Sequence, residues 1–158
     1  MSRTALIVAV PEAEAIAREI RLRYVSSAAR GVAAHITVLS PFADSNDIDE
    51  QALAELFSSH SAFDFVLDRI ERWDDGIVWL HPEPSRPFED LTAAVWQRWP
   101  DHPPYEGTTE TVIPHLTLSE SPIEVDIDLP IGSRATEVTL IEEGANGMWA
   151  KRSAFPLA

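Results

Sequence analysis

The chain has 158 residues, 45% of them hydrophobic and 24% charged. That length and balance fit one domain, or one domain built as two lobes, and exclude a disordered tail. Twenty-six acidic residues against twelve basic ones give a net charge of −14, which excludes the broad basic face that grips long nucleic acid through its phosphates.

There is no cysteine, so disulfides, thiolate zinc sites, iron–sulfur clusters and a cysteine nucleophile are excluded. No run approaches the roughly 18 apolar residues that span a bilayer, so no membrane partner is expected. The opening MSRTALIVAV reads as a first strand, because a secretory signal needs a longer apolar stretch and a small-residue cleavage site. A cytoplasmic protein is expected. Lys151 is the single lysine, every other basic residue being arginine, and alanine is frequent, a bias that points to a GC-rich bacterial genome.

Thr4 to Val10 is β-branched and apolar and predicts a strand that ends at Pro11. Pro11 to Tyr24 predicts a helix, with Glu12 and Glu14 in its first turn and Ala13, Ile16, Ala17, Ile20 and Tyr24 as its apolar stripe. Ser26 to Gly31 reads as a loop, and Ala33 to Phe42 as a strand. Ser45 to Ser59 predicts a second amphipathic helix. Phe63 to Trp73 and Ile77 to His81 predict a hairpin turning at Asp74-Asp75-Gly76. Ser85 to Trp99 predicts a third helix with Pro87 in its first turn. Asp101 to Thr111 is loop, Val112 to Ser119 a strand, and Pro122 to Gly132 is ambiguous. Thr136 to Glu143 and Met148 to Phe155 predict a closing hairpin. Strands and helices mix without strict alternation, which favours an α+β fold with antiparallel sheet over residues 1–158 as one domain.

One pattern occurs twice: His35-Ile36-Thr37-Val38 and His115-Leu116-Thr117-Leu118. Random placement of the five histidines and nine threonines would give roughly 0.3 His-x-Thr pairs, so two copies flanked by apolar residues are a motif rather than an accident. Side chains alternate along a strand, so His35 shares a face with Thr37, and His115 with Thr117, while the apolar residues face the other way. If the two strands meet, two imidazoles and two hydroxyls converge. That set suits phosphodiester chemistry. One neutral His takes a proton, the other as imidazolium gives one, and the hydroxyls donate to phosphate oxygens. No metal or cofactor is required. His35 and His115 would supply two metal ligands, but no third stands at ligand spacing beside them.

These paired motifs resemble the 2H phosphoesterase superfamily, which includes the 2′-5′ RNA ligase-like proteins and the cyclic phosphodiesterases. The resemblance runs through AAHITVLSPF, IPHLTLS and the ending TLIEEGANGMWAKRSAFPL, and so covers most of the chain. It implies a bilobal pair of antiparallel sheets with outer helices around a central cleft. It implies His35 and His115 as acid and base, with Thr37 and Thr117 on the phosphate. Many members carry a basic residue after the second motif, where this chain has Ser119-Glu120-Ser121. That departure and the acidic charge favour a small cyclic phosphate or short oligonucleotide as substrate. A non-catalytic nucleotide-binding module, a 2′-5′ RNA end ligase and an interaction domain are the alternatives.

Phe42, Tyr105 and Trp149 are candidates to stack a base, the alternative for each being packing at the core or rim. Lys151 and Arg152 adjoin near a predicted site strand, and alternation lets only one face the cleft; Lys151 is a substrate-binding candidate, the alternative being a solvated hairpin charge. His60, His81 and His102 read as structural or exposed, and Trp73, Trp79, Trp96 and Trp99 as core or amphipathic surface. A monomer is the default.

Overall fold

The computed structural model describes residues 2–108 and 112–158. Its eight strands are β1 (Thr4–Ala9), β2 (His35–Leu39), β3 (Phe63–Arg72), β4 (Val78–Glu83), β5 (Leu116–Ser119), β6 (Ile131–Ala135), β7 (Glu137–Glu143) and β8 (Trp149–Pro156). Its helices are α1 (Pro11–Tyr24), α2 (Ser26–Ala29), α3 (Glu50–Ser58) and α4 (Arg86–Arg98). The strands form two four-stranded sheets, in the orders β2-β1-β7-β8 and β5-β4-β3-β6, and every pairing is antiparallel. No helix among the described residues is long and apolar enough to cross a membrane.

Local chemistry accounts for the elements. Helix α1 starts with Pro11, which has no N–H to orphan, and keeps Glu12 and Glu14 at its positive end and Arg21 and Arg23 at its negative end. Helix α4 buries Phe88, Leu91, Thr92 and Val95, a helical stripe. The β3–β4 turn needs Gly76, whose φ is +96° and whose missing Cβ would lie 3.1 Å from Pro122.

The sheets meet edge to edge. β2 is an outer strand of the first sheet and β5 an outer strand of the second, and the two lie beside one another. The helices cross over. α1 follows β1 of the first sheet and packs on β5, whereas α4 follows β4 of the second sheet and packs on β2. The unit β1–α1–β2 is therefore mirrored by β4–α4–β5, and the repeated motif is the sequence trace of that internal correspondence. Leu6, Ile36, Leu80, Leu116 and Leu118 meet in the main core, fully buried.

Several expectations change. Ser26–Ala29 is a helical turn rather than loop, held by Glu120, whose carboxylate accepts from the Ser26 N–H at 3.0 Å. The expected helix from Ser45 splits into a 3₁₀ turn at Ser45–Asp47 and α3, because Asp44 and Asp49 each cap a new start. The motif strands are shorter than expected, at His35–Leu39 and Leu116–Ser119, because only those residues find a partner strand. The ambiguous stretch ends in β6, which pairs with β3 from Phe63↔Ala135 to Leu67↔Ile131. In α1 the buried residues are Ala13, Ala17 and Arg21, while Ile16 is 45% exposed. The stripe turns by one residue because α1 packs on β5 rather than on its own sheet. Thr111, the end of the expected loop, lies outside the described residues.

Candidate functional site

Both motif strands are sheet edges, so each leaves backbone carbonyls without a strand partner. A buried side chain from the crossing helix takes one carbonyl in each. Thr92 Oγ1 of α4 donates to the Val38 carbonyl at 2.6 Å. Arg21 Nε of α1 donates to the Thr117 carbonyl at 3.0 Å, and Arg21 Nη1 donates to the Val32 carbonyl at 3.2 Å. Arg21 is only 1% exposed. It ties the second motif strand to the segment that leads into the first, and its guanidinium approaches the Glu14 carboxylate at 3.7 Å.

The motif side chains alternate as the strand geometry dictates. His35 and Thr37 are half-buried between buried Ala34, Ile36 and Val38, and Thr117 is half-buried between Leu116 and Leu118. The two histidines are held alike. His35 Nδ1 lies 2.8 Å from the Ala33 carbonyl and His115 Nδ1 lies 2.7 Å from the Ile113 carbonyl. A carbonyl only accepts, so each Nδ1 carries the hydrogen and each Nε2 is the nitrogen left to exchange a proton. Burial lowers the His35 imidazole to about 4, and the charges of Arg21 and His115 act in the same direction against the Ala33 bond. Burial lowers His115 as well, against its bond to Ile113. The strands that carry the two motifs, β2 and β5, lie beside one another.

The floor beside the first motif is apolar. Ala5, Ile7, Val32 and Ile141 form a small cluster against Trp149, and register puts Thr37 opposite Ile7 on that face. A cavity of about 110 Å³ is lined there by His35, Thr37, Ser40, Ile141 and Trp149. Trp149 thus shares a cavity with the first motif. Tyr105 is not among the lining residues and reaches the cavity only through the backbone of Ser40. Its N–H donates to the Ser40 carbonyl at 2.8 Å, its backbone is left-handed at φ 51°, and burial raises its phenol. Lys151 is the Cα partner of Ile141 and so shares the floor's face, exposed and 3.8 Å from Glu137. Arg152 turns away to Glu50 and the Ser45 carbonyl. Phe42 lies elsewhere, 7% exposed in the main core with its ring edge-on to Trp99 and His102. Phe42 is not among the residues that line the cavity beside the first motif.

Other residues of the site carry no motif in the sequence. Arg21 continues the 13, 17, 21 spacing of the buried stripe of α1, which was the available signal. Trp73 and Trp79, expected as core or surface, stand beside the second motif. Their rings lie 4.7 and 6.0 Å from that of His115, because Trp79 is the cross-strand partner of Thr117. Glu120, which follows the second motif where many members carry a basic residue, is bonded to Ser26 at the start of α2. Asp68, His81 and Glu83 bring three potential metal-ligand atoms within 4.8 Å of one another, but His81 Nδ1 lies 2.9 Å from Asp68, and Arg69 pairs with the same carboxylate. Asp68 and His81 thus hold one another, Glu83 is exposed, and no cofactor role is assigned to the three.

Two antiparallel sheets, crossing helices and two matched His-x-Thr strands at the seam define a bilobal α+β protein of the 2H phosphoesterase class. The chain belongs to the 2′-5′ RNA ligase superfamily, whose family model matches residues 9–141. Solved structures agree in fold. E. coli LigT complexed with 3′-AMP superposes with a TM-score of 0.68 at 20% identity, covering 99% of this chain and 98% of that one. E. coli LigT complexed with NADP+ gives 0.66 at 20% identity over the same shares. A structure described as a phosphoesterase gives 0.65 at 22% identity, covering 100% and 99%. A search of curated proteins finds no match.

Proposed function

We propose that the protein is a phosphodiesterase that opens a cyclic phosphate, such as a 2′,3′-cyclic nucleotide, an RNA end or ADP-ribose cyclic phosphate, or that cleaves a 2′-5′ phosphodiester. The carrying observation is the matched pair of imidazoles, each with Nδ1–H held by a backbone carbonyl two residues earlier. Each Nε2 is then free for proton exchange. In ring opening, one neutral Nε2 removes a proton from water as the water oxygen bonds to phosphorus. The other, protonated at Nε2, gives its proton to the ribose oxygen as the phosphorus–oxygen bond breaks. Thr37 and Thr117 donate to the non-bridging oxygens, where charge accumulates. Which histidine starts as the acid depends on the direction of the reaction. Membership of the family and the likeness to nucleotide-bound LigT structures support this reading. The net charge of −14 favours a small substrate over an extended RNA, since long polyanions would be repelled.

The direct test is an assay with EDTA present on a panel of 2′,3′-cyclic nucleotides, 2′-5′-linked dinucleotides and ADP-ribose cyclic phosphate. Turnover of at least one is the expected result. Binding of nucleotide monophosphates with no turnover of any member would replace the enzyme reading by a nucleotide-binding module.

The acidity of the pair sets the pH profile. The base must be neutral, so the rate falls as pH drops through its pKa. The acid must be protonated, so the rate falls as pH rises through its pKa. Burial lowers both imidazoles below the ordinary 6.5, so kcat/KM, which reports the free enzyme, should peak below pH 6.5. A peak above pH 7.5 would contradict the pair as acid and base. Thr37→Val and Thr117→Val should each lower kcat/KM by about 10- to 100-fold, the worth of one hydrogen bond to a charged group, with the CD spectrum unchanged. An effect below twofold would remove that threonine from the phosphate.

A further inference from the structure

The second sheet carries an aromatic row on the cleft face that the acid–base reading leaves unused. Trp79 sits opposite Thr117 in register, and its ring lies 6.0 Å from His115, 6.3 Å from His81 and 4.9 Å from Trp73. Trp73 is half-buried and comes from the end of the β3–β4 hairpin, with its ring edge-on to His115 at 4.7 Å. Trp79 is 5% exposed, and its indole Nε1–H has no hydrogen-bond partner among the described residues. A sealed N–H without an acceptor is costly and uncommon, because folding has removed its water and returned nothing. A core position would favour phenylalanine or leucine there. An indole at this point, with its donor unsatisfied and one sheet position from the second motif, is matched to an acceptor that arrives from outside.

We infer that Trp73 and Trp79 form a subsite for the planar heteroaromatic base of a nucleotide whose phosphate is held by the two motifs. This rests on the proposed phosphate site. The base stacks on Trp73, the ring that is partly open to solvent. Trp73 shifts as it stacks, and the Trp79 N–H then meets an acceptor on the ligand. The order along the sheet, with His115 and Thr117 first and the two indoles next, follows the order of a nucleotide from phosphate to base. The subsite selects nucleotides over base-free phosphate esters. Trp79 belongs to the second sheet and Trp149 to the first, and neither Trp73 nor Trp79 lines the cavity beside the first motif.

The test is equilibrium binding, followed by calorimetry and by quenching of tryptophan fluorescence. The probes are 2′-AMP and the base-free ester glycerol 2-phosphate, titrated into wild type, Trp73→Leu and Trp79→Phe. Wild type should bind 2′-AMP at least 10-fold more tightly than glycerol 2-phosphate, the scale of one base stacked on an aromatic ring. Trp73→Leu should remove most of that preference and most of the quenching. Trp79→Phe keeps a ring and loses only the N–H. It should weaken 2′-AMP several-fold and leave glycerol 2-phosphate unchanged. Variants that bind 2′-AMP as wild type does, or that lose both ligands equally, overturn the subsite. Turnover of cyclic phosphates with no base preference overturns the subsite alone. Base preference without turnover overturns the phosphodiesterase reading alone. Failure of both ligands to bind overturns both.

Discussion

His35→Ala and His115→Ala should each lower kcat on the active cyclic phosphate by about 10²–10⁴-fold, the usual share of one positioned acid or base. The loss should come with a native CD spectrum and a melting temperature close to wild type, because each imidazole stands on the cleft side of its strand and not among the fully buried residues of the core. The double variant should be little worse than either single one, since one proton transfer without the other does not complete the step. The cyclic-phosphate assay with EDTA present checks this. A variant that keeps more than a tenth of wild-type kcat would remove that histidine from the chemistry. Loss of activity in only one of them would replace the two-histidine mechanism with a single-base one.

Arg21→Met should cost stability and also shift the site's acidity. The guanidinium is buried and supplies hydrogen bonds to the Thr117 and Val32 carbonyls. Methionine fills much of the volume and supplies neither. Two orphaned carbonyls at roughly 1–3 kcal/mol each, offset in part by relief of a buried charge, give a loss of about 2–4 kcal/mol. In a chain of this size that lowers the melting temperature by about 5–15 °C. The second consequence has a definite sign. The positive charge of Arg21 disfavours a proton on His35, so its removal should raise the His35 pKa, read by NMR titration of the imidazole protons. Arg21→Lys keeps the charge and should keep His35 low while losing part of the stability. A methionine variant that melts with wild type, with His35 unmoved, would make Arg21 a bystander.

Much of the fold is legible in the sequence. Val-, Ile- and Leu-rich runs between Pro and Gly punctuation locate β1, α1, the β3–β4 hairpin, α4 and the closing hairpin, because those elements rest on local pattern. The doubled motif singles out His35, Thr37, His115 and Thr117, and the period-two alternation of a strand is enough to put each pair on one face. β6 escapes, because Ile131–Ala135 has no pattern of its own and becomes a strand by pairing with β3. The turn of α2 escapes, because its start is capped by Glu120 from a distant strand end.

The sequence by itself determined the acidity of the surface, the α+β mixture and the chemical identity of the motif, since these depend on composition and on neighbours within a few residues. Only the tertiary structure decided that β2 and β5 meet as edges of different sheets, that Arg21 and Thr92 cross between lobes to close those edges, and that Trp73 and Trp79 stand against His115 while Phe42 is claimed by the core. Those outcomes depend on contacts far apart in the chain, where long-range pairing and burial outweigh the local preference of any one residue.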